Sequence, residues 1–110
     1  MTLFNNAGFA VPPHPNVAHP IPGTGVKITA TAEDTDDTVA VTAGESYLFT
    51  ATAGSFYFGL DDVVTDATNV AWVCPVGQTI FFTIPVGYTT LHYAADEGNS
   101  VGFMRQVEMR

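Results

Sequence analysis

From Val26 to the C-terminus, apolar and polar residues alternate with a period of two. Val26, Ile28, Ala30 and Ala32 fall on one side of an extended chain and Lys27, Thr29 and Thr31 on the other. That is the pattern of a strand with one face in a core and one in water. Runs of the same kind follow at Val39–Thr42, Ser46–Ala53, Ser55–Leu60, Val70–Cys74, Thr79–Ile84, Thr90–Ala95 and Val101–Glu108. Polar or glycine-bearing turns separate them, the longest being the acidic stretches Glu33–Thr38 and Asp61–Asn69. No segment repeats its apolar positions every three to four residues, so no helix is predicted. About eight short strands with closely spaced turns predict an all-β fold, an antiparallel β-sandwich or jelly-roll-like barrel over residues 26–110.

Residues 1–25 follow a different rule. Pro12, Pro13, Pro15, Pro20 and Pro22 crowd into a short stretch. Because proline fixes φ, removes a donor and pushes its predecessor toward extended geometry, Val11–Pro22 is expected to be polyproline-like or irregular. This segment is also apolar without a period, through Leu3, Phe4, Phe9, Val11, Val17 and Ile21. A plain linker is Ser/Gly-rich or charged. The expectation is an extended arm that docks on its own domain or on a neighbouring subunit, with those six residues as the contacts.

Within the domain, Ala43-Gly44-Glu45-Ser46-Tyr47-Leu48-Phe49-Thr50 and then Ala53-Gly54-Ser55 line up with Val76-Gly77-Gln78-Thr79-Ile80-Phe81-Phe82-Thr83 and then Val86-Gly87-Tyr88, at a constant offset of 33 residues. Both copies read as strand, glycine turn, strand, glycine turn. The glycines supply the positive φ of tight turns, and two equivalent hairpins, one in each sheet, would build a sandwich.

Charge then narrows the partners. Eleven carboxylates against three basic residues, Lys27, Arg105 and Arg110, leave a formal charge of −8 on 110 residues. Such a field repels phosphate backbones and supplies no polybasic stripe for an anionic membrane, so neither nucleic acid nor membrane is expected as a partner. The first residues, Met1–Asn6, lack the positive region and apolar run of a signal peptide, and no stretch approaches the length of a membrane-spanning helix. Cys74, the one cysteine, cannot form an intrachain disulfide and reads as a strand filler with no electropositive neighbour to activate it.

No catalytic constellation is visible. His14 and His19 lie in the arm and His92 in a strand, a spacing that does not preset metal geometry. Asp34, Asp36, Asp61 and Asp62 could converge on calcium if the two acidic loops share one end of the sandwich, but neither loop has an EF-hand pattern. Gly-x-Ser-x-Gly and Gly-x-x-x-x-Gly-Lys are both missing, and a Cys74–His92 dyad would be a coincidence of the fold. The expectation is a protein with no cofactor, no metal and no enzymatic activity. Most of the aromatic residues Tyr47, Phe49, Phe56, Tyr57, Phe58, Trp72, Phe81, Phe82, Tyr88, Tyr93 and Phe103 are expected in the core. Runs such as Phe56-Tyr57-Phe58 and Phe81-Phe82 put rings on both faces of a strand, and the second face needs a cover: the arm, the opposite edge of a barrel, or another subunit.

Phrases such as Asn69-Val70-Ala71-Trp72-Val73-Cys74-Pro75-Val76-Gly77 and Ile84-Pro85-Val86-Gly87-Tyr88, with the acidic sandwich, apolar arm and lone cysteine, resemble the small virion proteins of tailed bacteriophages. The nearest in style are capsid decoration or cement proteins. The resemblance implies a homo-oligomer, a trimer being favoured, that sits on an assembled shell and contacts the major capsid protein or other virion proteins. It implies a place in the virion after assembly in the host cytoplasm, and it assigns no individual residue. The alternative is a binding module of a tail or adhesin, for a receptor or carbohydrate, with Trp72, Tyr57 or Tyr88 as a stacking platform.

Overall fold

The computed structural model describes residues 3–4, 10–11, 18–60, 63–65 and 70–109. The strands among them are β1 (Leu3–Phe4), β2 (Ala10–Val11), β3 (Ala18–Pro20), β4 (Val26–Ala30), β5 (Asp37–Ala40), β6 (Ser46–Ala53), β7 (Phe56–Gly59), β8 (Trp72–Cys74), β9 (Thr79–Thr83), β10 (Thr90–Ala95) and β11 (Ser100–Met109). One sheet runs β5-β10-β7-β8, and the other runs β3-β11-β6-β9 with β4 also paired to β11. Every pairing is antiparallel. The eight strands from β4 onward therefore interleave as β4-β11-β6-β9 against β5-β10-β7-β8, the order of a jelly roll. The expected all-β sandwich is the observed fold.

Most strands shift their ends by only a residue or two, and two departures go further. β5 was expected at Val39–Thr42 and runs Asp37–Ala40, because Asp37 pairs with Tyr93 on β10 while the Thr42 amide is taken by the Tyr47 hydroxyl at 2.9 Å. In the proline-rich segment, Ala18–Pro20 is a strand and not an irregular coil, with Pro20 opposite Val107 and Ala18 opposite Met109. Proline is tolerated there because β3 is an edge strand that need not donate outward. A turn at Pro22-Gly23 follows, with Gly23 at φ 82 and the Thr24 amide donating to Ile21 O at 3.4 Å, the pattern of a type II turn. Ile21 N donates to Gln106 O at 2.9 Å, and Gln106 N donates to Thr24 Oγ1 at 3.1 Å. The chain thus follows β11 as β3, steps aside at the turn, and resumes along the same edge as β4.

The core lies between the two sheets. Phe49 from β6 meets Phe56 and Phe58 from β7 edge-on, at ring-centroid distances of 5.0 and 4.8 Å. Trp72 stacks on Phe82 at 4.8 Å. Phe49, Phe56, Phe58, Phe82, Ile84 and Leu91 are fully buried. Removing each such side chain from water contributes about 1.5–3 kcal/mol. Gly102 belongs to this core for a steric reason: a Cβ there would enter the ring of Phe49.

The internal echo is real in the structure but arranged differently from the expectation of one copy per sheet. β6 and β9 are antiparallel neighbours in a single sheet, with Ser46 opposite Thr83 and Thr50 opposite Thr79. At one end, Gly44 N donates to Ile84 O (2.8 Å) and Ile84 N to Glu45 O (2.9 Å). At the other, Gly77 N donates to Ala51 O (2.7 Å) and Ala51 N to Gln78 O (3.1 Å).

Candidate functional site

The outward face of the β4-β11-β6-β9 sheet follows from the register. Met104 and Gly102 of β11 point into the core with Phe49 and Ile28, so Phe103 and Arg105 point out. Cross-strand pairing then sets two rows on that face: Thr79, Thr50, Phe103 and Lys27 form one, and Phe81, Leu48 and Arg105 the next. Phe103 is 50% exposed and Phe81 44%, with half-buried Leu48 between them. In the third row, Ser46 and Val107 are buried. A cleft of about 580 Å³ opens on this side, lined by Lys27, Leu48, Thr50, Phe103 and Arg105 among others. The Arg105 guanidinium lies close to Gly25, where an added Cβ would sit 3.3 Å from it.

The other sheet carries a polar cluster. His92 on β10 holds Nδ1 at 3.1 Å from both Asp36 carboxylate oxygens. Asp36 Oδ1 also accepts from the Val64 amide at 2.8 Å. Val64 is buried although it lies outside the main core cluster. One step along, the Tyr93 hydroxyl donates to Asp37 Oδ2 at 3.2 Å. Burial first, then the Asp37 charge and that hydrogen bond, push the Tyr93 hydroxyl up to about 12. The first acidic loop and residues 63–65 of the second therefore meet, through Asp36 and Val64. Asp61, Asp62 and Asp66 lie outside the described residues. Among those described, no group of three His, Cys, Asp or Glu is placed to hold a metal ion.

The arm residues singled out in the sequence divide three ways. Leu3 pairs with Val11 and Phe4 with Ala10 across β1 and β2. Ile21 is half-buried at the turn beside Gln106. Phe9 and Val17 lie outside the described residues, as does His14. His19 is exposed on β3 and His92 is on β10 in the other sheet, so these two histidines are not brought together. Cys74 and His92 sit on opposite faces of one sheet, since Cys74 pairs with inward Phe56 and His92 with outward Gly59. Burial raises the Cys74 thiol, whose Sγ lies 3.3 Å from Gln78 O. Trp72 and Tyr88 pack against the core, while Tyr57 is half-buried on the outward side.

The outward face built on Phe103, Leu48, Lys27 and Arg105 was not singled out in the sequence. Phe103 was counted with the core aromatics. The signal available was the phase of β11, where Gly102 and Met104 share one parity and Phe103 and Arg105 the other.

No family model and no curated protein matches the chain. Among solved structures it is similar to an RmlC-like cupin from Shewanella frigidimarina NCIMB 400, with 12% identity over 83% of each chain and a TM-score of 0.36. A likeness at that level assigns no function.

Proposed function

We propose that the chain is a non-enzymatic structural protein of a virus particle, of the capsid decoration or cement kind, acting through contacts of its sheet face and its arm. The observation that carries this reading is the outward face on which Phe81 and Phe103 stand exposed across Leu48. Large rings left in water on an outward sheet face mark a contact surface for another protein. The arm supports it, since β3 is already added to the edge of that same sheet through β11. Jelly rolls also serve as viral capsid domains, an analogy of fold only. The proposed partners are the major capsid protein or other virion proteins, together with further copies of the chain.

Density-gradient fractionation of the source cells tests this. The chain should band with assembled particles in a fixed ratio to the shell protein, and removal of residues 1–17 should weaken that association. Recovery of the intact chain only from the unassembled fractions overturns the reading.

A further inference from the structure

Lys27 and Arg105 are two of the three basic residues in a chain of charge −8, and both stand on the face that exposes Phe81 and Phe103. Among the described residues, neither has a carboxylate within ion-pair distance, and the pair found there is His92–Asp36. They are set beside rings and threonine hydroxyls, at the rim of the cleft.

The matching acidic surface is in the same chain. The turn leading from β4 to β5 holds Glu33, Asp34 and Asp36, and Asp37 opens β5. Asp36 is engaged by His92 and the Val64 amide, and Asp37 by Tyr93 and the Thr38 amide. Glu33 and Asp34 remain exposed, on a backbone fixed by the Asp34 amide donating to Ala95 O at 2.8 Å. A held turn loses little freedom on binding. We infer that the Lys27–Arg105 face of one copy docks the Glu33–Asp34 turn of a second copy, with Phe81 and Phe103 covered in the contact. The two patches are different surfaces, so the contact is head-to-tail and closes into a ring or runs on as a chain. Back-to-back pairing of two such faces would set cation against cation and is disfavoured on charge. The inference refines the oligomer contact within the reading above and is tested on the isolated chain, without any particle.

Two double variants decide it. The face variant is Lys27→Glu with Arg105→Glu. The turn variant is Glu33→Gln with Asp34→Asn, which removes charge without reversing it, asparagine being chosen because position 34 has φ 50 and tolerates few other residues. Circular dichroism and melting confirm that each remains folded. By sedimentation velocity, the wild-type chain should self-associate at tens of micromolar and come apart as salt rises from about 0.1 to about 1 M, where the screening length falls from about 10 to about 3 Å. Each variant alone should associate at least about tenfold more weakly. An equimolar mixture should form a 1:1 complex and stop there, because only one complementary pair of patches survives. A wild-type monomer at that concentration, association strengthened by salt, a turn variant that assembles like wild type, or a mixture that stays monomeric each overturns the inference. A 1:1 complex in a chain that never bands with particles would leave this contact standing and remove only the virion reading.

Discussion

Leu48 and Phe81 stand directly opposite one another across the β6–β9 pair, and they are also equivalent positions of the 33-residue echo. A residue and its own repeat can be cross-strand partners only at a local two-fold axis. The axis is obeyed outward from that point: Ser46 Oγ meets Thr83 Oγ1 at 2.8 Å, and the equivalent pair Thr50 and Thr79 meets at 2.7 Å. The reciprocal bonds of Gly44 with Ile84 and of Gly77 with Ala51 close the two ends in the same way.

Equivalent turns should fail equally. Gly44 and Gly77 have φ of 82 and 80, and a Cβ at either would meet nothing within 4 Å. The cost of alanine is then backbone strain alone, about 1–2 kcal/mol at each site. Urea unfolding of Gly44→Ala and Gly77→Ala should give losses that agree within about 0.5 kcal/mol. A markedly unequal pair would show that the two turns carry different loads.

Gly102 should behave differently, because its constraint is space. An added methyl would enter the Phe49 ring, which is fully buried and held edge-on by Phe56 and Phe58. Gly102→Ala is expected to cost about 1–3 kcal/mol. Combining it with Phe49→Leu should recover part of that loss in a double-mutant cycle, and strict additivity would exclude the clash as its cause.

The period-two alternation made the strands from Val26 onward readable, since each has to bury one face and wet the other. Thr90–Ala95 falls where expected to the residue, while Asp37–Ala40 does not. Asp37 has low strand preference, and in the ladder it stands opposite Tyr93 and accepts from that hydroxyl. Likewise Ala18–Pro20 pairs through β11, a partner far away in sequence, which no local reading of prolines can supply. That Phe81-Phe82 leaves one ring on an outer face is legible in the sequence, but its alignment with Phe103 and Arg105 is not, for a related reason. Alternation shows that two sides differ, but which neighbouring strands align their exposed residues is set by register, and register is a property of the assembled sheet.

Asp36 should act as the tether of the second acidic loop. Its carboxylate accepts from the Val64 amide at 2.8 Å and is itself oriented by His92. A hydrogen bond to a charged acceptor contributes about 1.5–3 kcal/mol. In Asp36→Ala, hydrogen exchange of the Val64 amide should quicken by at least about tenfold, with the β6 and β11 amides unchanged. Protection at Val64 equal to wild type would mean that burial alone holds it.

Tyr93 gives the chain a stability that depends on alkaline pH. Its hydroxyl is raised from 10.0 to about 12, chiefly by burial and further by the Asp37 charge beside it. Between those values the folded chain keeps a proton that the unfolded chain has lost, so stability falls as pH rises. The contribution is therefore complete below about pH 10 and drains away toward about pH 12, by an amount on the order of 2 kcal/mol. Other tyrosines and Lys27 titrate nearby, so the informative quantity is the difference from Tyr93→Phe, which keeps the ring and removes the titrating group. At neutral pH the variant should be less stable by about 1 kcal/mol for the lost hydrogen bond to Asp37. Urea midpoints from pH 8 to pH 11.5 should show that gap closing and then reversing. A gap that stays constant across the range would mean that the Tyr93 hydroxyl ionises as readily in the folded chain as in the unfolded one.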